Sequence, residues 1–349
     1  MMVSNLDDRK KEILKAIIQE HIITAEPVGS RTLSKNYDFG VSSATIRNEM
    51  ADLEDMGYLE QPHTSAGRIP SDKGYRYYVD VLMDQQKVIS TNLQRSIKQL
   101  YKEEKDIKDI ISETVKMLSN LIHYTALISE PQLKESRIRK VQVIEVARKS
   151  LMIILITDTG MVNNKLIHLE KELNNRQVRY INRYLSDRLE NKKLSTLDQE
   201  FMKKLEGEIK KRLSISKKLL DLINKELEVL VDPADLQIYL GGTSYILEQP
   251  EFNDLDALKQ VMRILDQEDV LRKLIGNVSE EGIEVKIGRE NNLEEIQNCS
   301  LVVATYSLED KAIGKIGVIG PTRMEYPRVI STVDFVADVL GEIISKASR

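Results

Sequence analysis

Little in this sequence invites cross-linking or metal chemistry. Its single cysteine, Cys299, excludes a disulfide framework and a cysteine-rich zinc site, and it suits a reducing compartment. The histidines at 21, 63, 123 and 168 are scattered, with no H-E-x-x-H spacing. Charge of one sign is also missing. The 51 Lys and Arg face 55 Asp and Glu, a net of −4, so the chain is not globally basic and any nucleic-acid role must be local. The longest strictly aliphatic run is "LMIILI", Leu151 to Ile156, too short to cross a bilayer. The opening "MMVSNLDDRKKE" has no apolar stretch of signal-peptide length. These features predict a soluble, cytoplasmic protein.

Enzyme signatures are absent as well. There is no G-x-x-x-x-G-K-[ST], and the glycines of "GKIGVIG" (314–320) are misplaced for G-x-G-x-x-G and are expected at tight turns in a sheet. Cys299, inside "NCSLVVATY", is expected to be a buried small hydrophobe. No enzyme activity and no cofactor or metal are expected.

What is there fills two or three domains, given 349 residues. Ile13, Leu14, Ile17, Ile18 and Ile22 form one stripe at helical period, predicting a first helix over 6–22. "TAEPVGS" breaks it, and Ser30 opens a short second helix through about Lys35. After the turn "NYDFG", Ser42 is a suitable N-cap for a third helix that Gly57 closes. "YLE" reads as a short strand, "QPHTSAGRIP" as a loop between extended pieces, and "SDKGYRYYVDVLM" as helix again. Three short helices, a β-loop and a helix describe a winged helix-turn-helix over residues 1–87.

The third helix has an unusual charge order. Arg47 sits near its start, while Glu49, Asp52, Glu54 and Asp55 crowd its later turns, against the macrodipole. At about 100° per residue, Ile46, Met50 and Leu53 share the core side, and Ala44, Arg47, Asn48 and Ala51 point away. Small residues let that face enter a groove, where Arg and Asn pair with guanine and adenine edges. A solvated surface on a structural helix is the plain alternative. In the loop, His63, Thr64, Ser65, Gly67 and Arg68 offer donors without acids or bulk, as phosphate contact requires; a bare hairpin tip is the alternative. Arg31, Lys73 and Arg76 are further phosphate candidates. Tyr75 and Tyr78 share a stripe with Val79 and Leu82 and are expected in the core.

Residues 88–123 read as a charged helical connector. "TALISEP", "VQVIEVA", "SLMIILITD" and "NNKLIHL" are β-rich, with a hairpin tip expected at "DTG", 158–160. Residues 170–230 turn helical, with stripes such as Val178, Ile181 and Leu185, and Phe201, Leu205, Ile209 and Leu213. From 236 strands return ("LQIYLGG", "IEVKIG", "SLVVATY", "GKIGVIG"), with helices near 254–275 and 331–347. The expected organisation is a mixed α/β, sensor-like domain over 88–169 and 236–349, interrupted by helices at 170–235. Those helices could bury a partner surface or pack on the chain's own sheet.

Four strings, "PVGSRTLS" (27–34), "ATIRNEMADLEDMGYLEQPHTSAGRIPSDKGYRYYVD" (44–80), "GGTSYILEQPEF" (241–252) and "GKIGVIGPTRMEYPRVIS" (314–331), closely resemble the heat-inducible transcription repressors called HrcA. Tyr245 in "GGTSYIL" departs from that pattern, where Asn is expected. The resemblance implies an α+β multidomain fold: an N-terminal winged helix-turn-helix, a GAF-like α/β domain and a helical dimerisation domain inserted into it. It implies a homodimer that represses chaperone operons from an inverted-repeat operator in double-stranded DNA and is released on heat shock. It also implies that a GroEL-type chaperonin supports that activity. Carried over by position, DNA contacts would come from Ser43, Ala44, Thr45, Arg47 and Asn48, and from His63 to Arg68. A regulator gated by a small molecule in the GAF-like domain is the competing reading.

Overall fold

The computed structural model describes residues 6–63, 66–83, 107–131, 136–158, 162–169, 172–197, 200–201, 204, 237–276, 282–308 and 311–347. Helix α1 spans Asp8–Thr24, with the Asp7 side chain accepting from the Lys10 amide and Ala25 closing the helix at φ 59°. Helix α2 is Ser30–Asn36 and α3 is Ser43–Asp55, the latter capped by Ser42, which accepts from the Thr45 amide. Gly57 follows α3 at φ +78°, a left-handed position suited to glycine. Strands β1 (Leu59–Glu60) and β2 (Ile69–Pro70) make a short antiparallel ribbon. Helix α4 (Asp72–Tyr77) continues into a wider π turn, Tyr78–Leu82. As the stripe predicts, Tyr75 and Tyr78 are buried.

The remainder is built on a five-stranded antiparallel sheet, in the order β7 (Ile238–Gly241), β3 (Thr125–Ser129), β10 (Lys311–Pro321), β9 (Cys299–Leu308), β8 (Ile283–Ile287). Both faces are covered over the central strands, so β3 and β9 read as nearly unbroken apolar runs, while the edge strand β8 alternates. Ala126, Ile128, Val302, Ala304, Ile316 and Val318 face one core with α5 (Ile107–Ile122) and α9 (Tyr326–Ala347). Leu127, Leu301, Val303 and Ile319 face the other, with α7 (Leu255–Leu265) and α8 (Glu268–Gly276). The first core is continuous with Ile13, Ile17, Ile46 and Leu53 of the N-terminal helices. Gly314, Gly317 and Gly320 lie within β10, not at the tight turns the sequence suggested. A Cβ at Gly314 would meet the Tyr306 ring at 2.3 Å, so close packing explains the residue there.

Strands β4 (Ile138–Ala147), β5 (Ser150–Thr157) and β6 (Val162–His168) form a separate three-stranded sheet. Its inner face (Val141, Val143, Leu151, Ile153, Leu155, Ile167) packs on Ile181 and Leu185 of α6 (Asn175–Leu189) in a core of its own. The break in the five-stranded sheet therefore falls between β3 and β7, and the expected boundary at 169/170 cuts through this unit. The reason is physical: a period-two apolar pattern announces a strand without saying which sheet it joins. The connector at 88–106, the tip residues 159–160 and most of 202–236, with the stripe residues Leu205, Ile209 and Leu213, lie outside the described residues.

Candidate nucleic-acid interface

Helices α2 and α3 are joined by the turn at Tyr37–Ser42. On α3, Ile46, Met50 and Leu53 are buried, while Ala44, Arg47, Asn48 and Ala51 are exposed on the other side. Neither the Arg47 nor the Asn48 side chain has a hydrogen bond or ion pair among the described residues. Their neighbours hold the helix start in place: the Ser42 hydroxyl lies 3.0 Å from that of Thr45, and the Ser43 hydroxyl donates to Ser30 Oγ at 3.3 Å. Arg31 is exposed on α2.

Three of the four acids of α3, Glu49, Asp52 and Glu54, have tertiary work. Lys10 Nζ of α1 meets Glu49 at 2.7 Å and Asp52 at 3.2 Å, and Arg9 reaches Glu49 at 3.5 Å. The Glu49 carboxylate raises the Lys10 pKa well above the usual lysine range. Glu54 accepts from Arg68 Nε at 2.6 Å. These three acids are thus the polar seam that joins α3 to α1 and to the ribbon.

His63 is exposed at the ribbon tip, and its carbonyl accepts from the Ala66 amide. Thr64 and Ser65 lie outside the described residues. Arg68 and Val28 exchange backbone hydrogen bonds at 2.8 and 2.9 Å. Next to that bridge, a Cβ on Gly67 would come within 2.4 Å of the Val28 carbonyl oxygen, so only glycine fits. Gly67 therefore has a packing role whatever its amide also contacts.

The three remaining cations each have partners within the protein. Arg68 is held by Glu54 with its side chain only 19% exposed. Lys73 Nζ donates to the Met56 carbonyl at 2.7 Å and lies over the Tyr58 ring. Arg76 is spent on Glu290, the Val285 carbonyl and Asp80, facing the five-stranded sheet. Arg76 thus serves as a contact between the N-terminal helices and the sheet, with four of its five N–H donors engaged there. Glu54 and Glu290 carry no motif that sequence reading could have found. Their partners lie 14 and 214 residues away.

Elsewhere, burial pushes the Cys299 thiol up to about 12, so it is no nucleophile. Tyr245 donates to Asn120 and meets the His123 ring edge-on.

A family model described as the HrcA protein C terminal domain matches residues 108–330. The heat-inducible transcription repressor HrcA of Pelotomaculum thermopropionicum is 43% identical over 346 residues, covering 99% of this chain and 98% of that protein. The chain belongs to the HrcA family. The heat-inducible transcription repressor HrcA of Symbiobacterium thermophilum is 41% identical over 347 residues, with 97% and 98% covered. A crystal structure described as that of a hypothetical protein shares the architecture at a TM-score of 0.66 and 25% identity, covering 98% of this HrcA-family chain and all of that one. Among the described residues, no helix is long and apolar enough to cross a membrane.

Proposed function

We propose that this chain is a heat-inducible transcription repressor, not an enzyme, that binds duplex DNA as a homodimer. Residues 6–83 serve as a winged helix-turn-helix, α3 being the reading helix and the β1–β2 ribbon the wing. The five-stranded sheet and its helices are the GAF-like domain, and the unit between β3 and β7 is the inserted dimerisation domain. The target is an inverted-repeat operator of chaperone genes, read in the cytoplasm and released on heat shock, with a GroEL-type chaperonin supporting activity.

One observation carries the reading. On α3 the exposed side chains of Arg47 and Asn48 have no partner among the described residues, whereas Arg68, Lys73 and Arg76 are engaged within the protein. An unpaired Arg–Asn pair on a small-residue helix face suits base edges in a major groove. A single head makes too few contacts for tight specific binding, so two heads on a palindrome are the natural arrangement. The outer face of the three-stranded sheet supports a dimer. Ile144, Met152 and Leu166 lie side by side across it, and Ile144, Val162 and Leu166 are 39%, 43% and 44% exposed. The apolar filling of both faces of the five-stranded sheet counts against a small-molecule gate. A gel-shift titration on an inverted repeat tests the function. Binding that ignores base sequence, or no binding, would overturn it.

A further inference from the structure

The N-terminal head shares a continuous apolar core with the five-stranded sheet and its helices, and three polar or ring contacts lie along that seam. At the first, Arg76 Nε donates to Glu290 Oε1 at 2.8 Å, Nη2 reaches Glu290 Oε2 and the Val285 carbonyl of β8, and Nη1 reaches Asp80 at 3.1 Å. Glu290 is itself held in position, since its Oε2 also accepts from the Ile287 amide at 2.8 Å. Beside it, the Asp72 carboxylate at the start of α4 accepts from the Arg289 amide at 2.9 Å and lies over Gly288, where a Cβ would strike it. At the second point, Arg323, with a side chain 11% exposed, donates from Nη1 to the Ile22 carbonyl at 2.6 Å. That carbonyl belongs to the last turn of α1, where helical acceptors lack partners. The other side of the Arg323 fork is taken by Glu251 at 2.6 Å and Gln249 at 3.4 Å. At the third, the Tyr75 and Tyr326 rings meet at 5.9 Å.

Forked arginine–carboxylate pairs specify direction as well as proximity, and with the shared apolar core beneath them the three contacts fix the orientation of the head. The docked head keeps Ala44, Arg47 and Asn48 exposed, so docking aims the reading helix without covering it. We propose that Arg76, Glu290 and Arg323 are positioning residues that lock the head on the core and thereby make the dimer selective for one half-site spacing. This rests on the DNA-binding reading above. Two heads aimed by their cores accept one separation of half-sites, whereas heads on loose tethers accept many.

The test uses the full chain, Arg76→Ala and Glu290→Ala, on inverted repeats whose half-sites are moved apart by one, two or five base pairs. The parent should prefer one spacing. Both variants should lose about tenfold of that preference, while base mismatches within a half-site still weaken binding and the salt slope stays unchanged. If instead Arg76→Ala lowers the salt slope by about one counterion and Glu290→Ala binds as the parent does, Arg76 is a phosphate ligand and the lock is refuted. A DNA-free measurement separates the two ideas. Calorimetry should show head and core melting together in the parent and separately in both variants. Should the parent bind no duplex, the DNA reading fails while this measurement still decides the lock, and unchanged melting in both variants would overturn it.

Discussion

Arg68 Nε donates to Glu54 Oε2 at 2.6 Å, tying the base of the ribbon to the last full turn of α3. Both side chains are largely covered, at 19% and 31% exposed, so the pair is partly screened from solvent. Arg68→Ala should therefore lower stability by about 1–2 kcal/mol, because it leaves a half-buried carboxylate alone. It should also weaken binding to any duplex by loosening the proposed wing. Urea unfolding and gel shifts on specific and scrambled duplexes check this. An unchanged urea midpoint would show that the pair holds nothing together.

Arg47→Ala should behave in the opposite way. Its side chain is exposed and unpaired among the described residues, so stability should move by no more than about 0.5 kcal/mol. Affinity for the operator should fall by about 1–3 kcal/mol, with specificity relaxed at one base pair. Equal loss on scrambled DNA would make Arg47 a phosphate contact.

Gly67→Ala sets a Cβ 2.4 Å from the Val28 carbonyl oxygen, which belongs to backbone and cannot swing aside. The Val28–Arg68 bridge should open, with a loss of about 2 kcal/mol or more. Amide exchange at Val28 and Arg68 should accelerate. Continued protection of both amides would contradict the close contact.

His21 should make the protein acid-sensitive. Burial, with Arg323 nearby, pushes its pKa down from 6.5 to about 4, and its Nδ1 lies 3.0 Å from the Tyr75 hydroxyl. Between those values the unfolded chain takes up a proton that the folded chain refuses, so stability falls as pH drops from about 6.5 and levels off below about 4. The loss should be about 2 kcal/mol, reduced for the ring's partial exposure. Urea midpoints measured from pH 7 to 4.5 should slope less in His21→Gln than in the parent.

Leu166→Glu puts a charge on the outer face of the three-stranded sheet, beside Met152. If that face joins the proposed dimer, sedimentation should show monomers with unchanged helix content. A persistent dimer would move the interface elsewhere.

Local sequence made the N-terminal elements legible. The stripes of α1 and α3, the Ser42 cap and the glycine after α3 lie where period and turn chemistry put them. The strands from 238 onward were legible for the same reason, since a sheet buried on both faces leaves long apolar runs. The same logic misassigned β4–β6. Their apolar content is equally strong, but one face is exposed and they pair only with one another.

Among the candidate contacts, periodicity alone put Ala44, Arg47 and Asn48 on one outward face, because a helix presents residues in a fixed angular order. Family membership was likewise written in strings of consecutive residues. Which cations remain free was decided only by tertiary structure. Glu54 holds Arg68, Glu290 holds Arg76, and Glu49 with Asp52 holds Lys10. An ion pair depends on distances of a few ångströms between side chains, and no spacing along the chain encodes distances that arise when separate elements pack.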